Sequence, residues 1–268
     1  APKQSEVFTS FLHLLTQSDS TIPEVKKSTL LKEAKTTSAI LKQLEEKGLL
    51  QPYIREINRV TPLSEHTAEM HPLNEVQQIA FNDIHQAWNK HSVVLLHGVT
   101  SSGKTEVYIH LMKEMIAQGK QVLFMVPEIA LTTQLTSRLQ CVFGDQLLVY
   151  HSRISDAERV EIYQAAAQPT PRVIIGARSA IFLPITNMGL IIVDEEHEPS
   201  YKQEDPAPRY HARAAAIMLA KQHKANVLLG TATPAIESYY LAQKGVYGLV
   251  SLTERYGGAQ LPGIQLVD

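Results

Sequence analysis

The sequence predicts an α/β fold, a parallel sheet flanked by helices, preceded by a small winged-helix domain. Two observations carry this. After about residue 73, strands and helices alternate, and the strand segments are continuous apolar runs rather than alternating ones. Such runs belong to strands buried on both faces, as in a parallel sheet covered by helices. Before that, residues 1–60 read as short helices followed by strands, and residues 61–72 are polar, proline-bracketed and without period, as a linker would be.

In residues 1–60, Val7, Phe8, Phe11, Leu12, Leu14 and Leu15 recur at helical spacing. Ser28 is expected to cap a short helix through Leu30, Leu31 and Ala34, and Ser38 a second one with Ile40, Leu41 and Leu44 on one face. That helix should stop at Lys47-Gly48, where glycine takes a left-handed backbone. Leu49–Ile57 reads as a small ribbon, completing a winged helix-turn-helix.

In residues 73–268 the expected order begins with a helix capped by Asn74, strand Val93–Leu96, helix Lys104–Ala117 and strand Gln121–Val126. A helix from Thr133, strand Leu147–Tyr150, helix Asp156–Ala167 and strands Val173–Ile175 and Leu190–Val193 follow. Helix Arg209–Lys221, strand Val227–Leu229 and helix Ala235–Gln243 complete the pattern, and the chain stops within an apparent strand at Gln265–Asp268. Ligands of such sheets bind at the carboxyl ends of the strands.

Composition narrows the classes. No apolar run is long enough to span a membrane, and one cysteine, Cys141, permits no internal disulfide, which fits a cytoplasmic protein. The histidines show no paired spacing with cysteine, so zinc is not expected in this chain. A net charge of −2 argues against a small, purely electrostatic DNA binder, but not against a protein that grips a strand in a local groove.

The chemistry lies at strand ends. Gly98-Val99-Thr100-Ser101-Ser102-Gly103-Lys104-Thr105 has the phosphate-loop pattern between a buried strand and a helix. Its glycines let backbone N–H groups close on a phosphate, Lys104 reaches the β- and γ-phosphates of ATP, and the Thr105 hydroxyl binds Mg²⁺. Asp194-Glu195-Glu196-His197 follows the strand ending at Val193. Asp194 is the expected Mg²⁺ carboxylate and Glu195 the group that orients or deprotonates the attacking water. Together these motifs predict a RecA-like nucleotide-binding lobe.

Gly230-Thr231-Ala232-Thr233-Pro234 follows a third buried strand. Thr231 and Thr233 could sense the carboxylate box, with Glu196 and His197, and relay hydrolysis; the motif alone favours a helix cap at Thr233 before Pro234. Gln77, on the helix before the phosphate loop, could read adenine through its amide, although a surface glutamine is the commoner case. The loop from Pro199 to Arg213 mixes aromatic and basic groups, so Tyr201, Lys202, Arg209, Tyr210 and Arg213 are candidate DNA contacts, the alternative being a proline-pinned surface loop. Arg178 and Ser179, at another strand end, could hold a DNA phosphate or cap a helix.

These residues resemble one family, the bacterial primosomal replication-restart helicases (PriA, primosomal protein N′). The resemblance rests on Leu96–Tyr108, Val126–Thr132, His151-Ser152, Ile175–Phe182, Asp194–His197, Pro208–Arg213 and Gly230–Pro234, in the family's order, and covers residues 73–268. The first 60 residues match only in place and pattern. The resemblance implies a 3′-to-5′ DNA helicase of superfamily 2 that acts at abandoned forks, with ATP and Mg²⁺ as ligands. It implies forked and single-stranded DNA, single-strand-binding protein and primosome proteins as partners, and a loop at Tyr201–Arg213 that couples DNA binding to hydrolysis. Ser101 departs from the family's usual glycine. The family's N-terminal DNA-binding domain, zinc module and second lobe with its arginine finger are not recognised in this sequence. The chain is therefore expected to be a fragment with weak or absent hydrolysis of its own. Two other readings stay open: a DNA-binding adaptor using ATP as a switch, and another superfamily-2 translocase.

Overall fold

The computed structural model describes residues 2–16, 25, 27–52 and 70–254. The chain divides into two compact units, Ala1–Ile57 and Asn58–Asp268.

In the first unit, helices α1 (Pro2–Thr16), α2 (Lys27–Glu33) and α3 (Ser38–Glu46) meet through Val7, Leu30, Leu41 and Leu44, which form a small buried core. The caps differ from expectation. Ser28 is the second residue of α2, and the N-cap of α3 is Thr37, in extended backbone with φ −107° and ψ 161°. Neither serine caps its helix, because each helix begins one residue or more before the expected first turn. The other end is as read from the sequence. Gly48 has φ +69°, its N–H donates to Glu45 O at 2.9 Å, and Leu49 N–H donates to Leu44 O at 3.0 Å. This is the paired bonding of a Schellman stop. The later part of the expected ribbon, most of the expected linker and the final apparent strand lie outside the described residues.

The second unit opens with Met70 and Leu73 packed on the main core and the His110 ring nitrogen 3.0 Å from His71 O, so residues 70–72 belong to the lobe rather than to a free linker. Helix α4 (Glu75–Trp88) follows, with the Asn74 side chain accepting from Gln77 N–H and the Gln77 side chain accepting from Asn74 N–H, a reciprocal capping box. Then come β1 (Val93–Gly98), α5 (Lys104–Ala117), β2 (Gln121–Met125), α6 (Thr133–Phe143), β3 (Leu147–Tyr150), α7 (Asp156–Ala167), β4 (Val173–Gly176) and β5 (Met188–Asp194). A two-stranded antiparallel hairpin, β6 (Lys202–Gln203) with β7 (Tyr210–His211), precedes α8 (Ala212–His223), β8 (Asn226–Thr231), α9 (Ile236–Gln243) and β9 (Gly248–Leu252).

Seven of these strands form one parallel sheet in the order β3-β4-β2-β5-β8-β1-β9. Side chains alternate across it: Val94 and Leu96 enter the core with Ile84 of α4 and Leu111 of α5, while Val93 and Leu95 enter the opposite core with Ala216 of α8. The α/β expectation holds, with helices on both faces. β9 was not expected. Its Gly-Leu-Val-Ser-Leu alternates buried and exposed positions, as suits an edge strand, so it lacks the continuous apolar run that marks the inner strands. Arg209–His211, read as the start of a helix, instead lead into and form β7, and α8 begins at Ala212. Among the described residues no helix is long and apolar enough to cross a membrane.

The strand order decides where the motifs meet. β8 lies between β5 and β1, with Gly230 opposite Asp194 and Thr231 opposite His97. Three adjacent strands therefore deliver the carboxylate box, the Gly230–Pro234 segment and the phosphate loop side by side at one carboxyl edge.

Candidate active site

The phosphate loop turns through left-handed backbone at Ser101 (φ +61°) and Gly103 (φ +82°), the latter the N-cap of α5. A side chain at Gly103 would collide with the Gln77 amide, 2.1 Å from the position of its Cβ. At Gly98 a Cβ would stand 3.0 Å from both Lys104 Cγ and Ser102 Oγ. Gly103 is thus required by its left-handed backbone and by Gln77, and Gly98 sits in tight contact with the Lys104 and Ser102 side chains. That lysine is buried, donates to Gly98 O at 2.8 Å and lies 3.9 Å from Glu195 Oε1. Val99 N–H donates to Leu252 O of β9 at 3.1 Å and Ser102 N–H to Val99 O at 3.1 Å, which pins the loop to the edge strand. Thr100 is exposed, and Thr105 stands in the first turn of α5.

The loop and box together meet the requirements of a nucleotide and its divalent ion. Ser102 Oγ is buried without a hydrogen-bond partner, which is costly unless a ligand or water supplies one. The Thr105 hydroxyl and the Asp194 carboxylate are hard oxygen donors of the kind such an ion takes.

Asp194 ends β5 and is held from two directions. Tyr108 of α5 donates its hydroxyl to Oδ1 at 3.0 Å, and Tyr201 donates its own to the Asp194 backbone O at 2.7 Å. Burial, reinforced by the adjacent Glu195 charge, raises the Asp194 carboxyl to about 6, while Tyr108 and Lys104 pull the other way. Burial also pushes both tyrosine phenols well above their ordinary range, with Asp194 adding to the rise, so both remain donors.

Glu195 has left-handed backbone, φ +45°, which turns its side chain back over the sheet edge. Its Oε2 accepts from the Thr231 hydroxyl at 3.4 Å and lies 3.6 Å from His197 Nδ1. His197 Nδ1 is also 2.7 Å from Thr231 Oγ1, and its Nε2 is 3.3 Å from Thr233 Oγ1. The four residues form one polar cluster, which is the contact expected of Thr231 and Thr233. The helix-cap alternative fails, because α9 starts at Ile236 with Ala235 as its N-cap.

Glu196 faces inward. It is 0% exposed and paired with Arg213, and it also accepts from the Ser238 hydroxyl at 2.8 Å and from Ala235 N–H at 2.7 Å. It therefore caps α9 from a distance in sequence that no local pattern could reveal.

Three site expectations need correction. Gln77 is 1% exposed, not a surface residue; its Oε1 accepts from Asn74 N–H and its Nε2 donates to Ser102 O at 3.4 Å, so in this conformation the amide braces the loop rather than standing open to a base. Tyr201 is 1% exposed, and its ring cannot serve as a stacking platform. Arg213 is spent on Glu196, with Glu237 3.9 Å from its other nitrogen, and is not free for a phosphate. Aromatic and basic composition suggested contact with a strand, but tertiary packing uses these two groups internally.

The other candidates lie outside. Lys202 and Arg209 are exposed and line, with Gln203, Glu204, Tyr210 and His211, an open groove of about 470 Å³ on the hairpin. The Tyr210 ring meets the exposed Phe182 ring edge-on at 4.9 Å. Arg178 donates to Lys202 O at 2.9 Å and to Ser200 O at 3.3 Å, tying the hairpin to the short helix Arg178–Phe182, where Ser179 is exposed. Tyr108 is the site residue that sequence reasoning missed. Its one available signal was its place one helical turn after Lys104, on the buried face of α5.

Residues 74–241 match the model of the DEAD/DEAH box helicases, and residues 1–57 match the model of a winged helix domain of PriA helicases of Bacteroidota. The chain is 45% identical over 244 residues to the replication restart protein PriA of Bacillus subtilis, covering 89% of this chain and 30% of that protein. It is 39% identical over 249 residues to PriA of Chlamydia pneumoniae, covering 90% of this chain and 33% of the relative. The chain thus spans about a third of the length of these relatives. The fold is similar to that of RecG bound to a three-way DNA junction, with a TM-score of 0.50 at 19% identity over 84% of this chain and 27% of RecG. These matches bear out the resemblance read from the motifs: the chain belongs to the DEAD/DEAH box helicase family, among relatives that are replication restart proteins PriA.

Proposed function

We propose that this chain is the nucleotide-binding first lobe, with a winged helix before it, of an ATP-dependent 3′-to-5′ DNA helicase that restarts replication at stalled forks. The observation that carries the reading is the convergence of Lys104, Asp194, Glu195, Thr231 and His197 at the carboxyl edge of three adjacent strands. The phosphate-loop amides from Gly98 to Thr105 and Lys104 bind the nucleotide phosphates. Thr105 and Asp194 hold Mg²⁺, which when bound neutralises charge on those phosphates. Glu195 orients the attacking water and accepts its proton. Thr231 and His197 contact Glu195 directly and Thr233 reaches it through both of them, so movement of the segment after β8 changes the setting of that base. Glu196 transmits such movement to α8 and α9 through Arg213 and Ser238.

Lys202, Arg209, Tyr210, Arg178 and Ser179 form the DNA-facing surface on this reading, with forked and single-stranded DNA as substrates. Single-strand-binding protein and primosome proteins are the proposed partners, and a cytoplasmic location goes with them. The test is strand separation by the full-length protein on a fork with a single 3′ or a single 5′ tail. ATP-dependent unwinding that proceeds 3′ to 5′ supports the reading. ATP-dependent movement without strand separation would favour a duplex translocase.

A further inference from the structure

Tyr108 is built into the site in a way that packing does not require. Its ring is fully buried in the core below the sheet edge and meets Phe124 edge-on at 5.7 Å. A phenylalanine would fill that space equally well and would avoid burying a hydroxyl. The hydroxyl instead crosses from α5 to the end of β5 and donates to Asp194 Oδ1 at 3.0 Å. The passage exists only because residue 230 lacks a side chain. A Cβ there would stand 1.7 Å from Tyr108 Oη and 2.8 Å from Cζ. Gly230 is directly opposite Asp194 in the β5–β8 register. The first residue of the Gly230–Pro234 segment therefore opens the channel through which a helix of the phosphate-loop motif reaches the carboxylate of the box.

We infer that Tyr108 is a positioning residue that fixes the orientation of the Asp194 carboxylate for a divalent cation, and that Gly230 is a glycine to admit the Tyr108 hydroxyl. This rests on the reading of Asp194 as the cation-holding carboxylate. Partners one step removed from a metal ion orient its ligands, and their loss weakens metal binding by about 10- to 100-fold. Tyr201 holds the backbone carbonyl of the same residue, which leaves Tyr108 as the group that fixes the carboxylate itself.

The experiment is binding of a fluorescent ATP analogue to the full-length protein, in EDTA and then across a Mg²⁺ titration, with thermal melting as a check of folding. Tyr108→Phe is expected to melt as a folded protein and to bind the analogue in EDTA within about twofold of the parent. Its half-saturating Mg²⁺ concentration should rise by about tenfold or more. Gly230→Ala keeps both groups but drives them apart, and should reproduce the shift in Mg²⁺ dependence. A folded Tyr108→Phe or Gly230→Ala protein with unchanged Mg²⁺ dependence overturns the inference. Asp194→Asn separates the two levels. If it retains the parent's Mg²⁺ dependence, Asp194 is not the cation's carboxylate, and the inference about Tyr108 falls with that reading. If Asp194→Asn loses it while Tyr108→Phe does not, only the inference about Tyr108 falls.

Discussion

The two sides of the carboxylate box are consecutive in sequence and opposite in physics. Glu195 turns outward over the sheet edge, a third exposed, within reach of Lys104, Thr231 and His197. Glu196 turns inward, fully buried, and is satisfied by Arg213, Ser238 and the Ala235 amide. The left-handed backbone at Glu195 allows this division at a single peptide. On the proposed reading the outward carboxylate serves the chemistry, while the inward one ties α8 and α9 to the end of β5. The box is therefore at once part of the proposed catalytic edge and a structural junction.

The largest expected effect breaks the inward side. Glu196→Ala leaves the largely buried Arg213 with only the more distant Glu237 and removes the anchor of α9, so stability should fall by about 3 kcal/mol in denaturant unfolding. Glu195→Gln, by contrast, should change stability by less than ~1 kcal/mol while hydrolysis by the full-length protein falls by about 10²-fold or more. Equal stability losses for the two would contradict the division between an outward and an inward carboxylate.

Asp194 sharpens the comparison through pH. Its carboxyl is raised to about 6 in the fold from an ordinary value of 3.8. The folded state therefore binds this proton more tightly than the unfolded chain, and the associated stability, present below pH ~4, is lost as pH rises through ~6. In EDTA, Asp194→Asn should stabilise the protein at pH 7.5 by up to ~3 kcal/mol and have little effect at pH 4. A loss of stability at pH 7.5 would mean that burial does not dominate the carboxyl.

The smallest effects belong to the hairpin surface. Lys202→Ala and Arg209→Ala should alter stability by less than ~0.5 kcal/mol, because both side chains are exposed. On the proposed reading each weakens DNA binding and lowers the salt slope by about one unit. Tyr201→Ala should instead unfold or loosen the box, since it removes a core ring and the hydroxyl bonded to Asp194.

The phosphate loop and box were legible because their chemistry is contiguous in sequence and flanked by continuous apolar strands. The polar cluster around Glu195 was legible in its members, since Thr231 ends a buried strand and His197 follows one. Its geometry depends on β8 standing between β5 and β1, an order that no local pattern encodes. The errors have one cause. Tyr201, Arg213 and Gln77 have side chains suited to contact with nucleic acid or a base, and exposure decides whether they make it. Long-range packing determines that exposure: Arg213 meets Glu196 across 17 residues, and Gln77 meets Ser102 across 25. β9 was missed because an edge strand carries half the apolar signal of an inner one.

The most direct test of the central claim is ATP hydrolysis by the full-length protein with and without forked DNA, beside Lys104→Ala. The account predicts a rate that rises severalfold or more on adding DNA, and a Lys104→Ala protein that binds DNA but does not turn over. A rate indifferent to DNA, or turnover that survives Lys104→Ala, would contradict it.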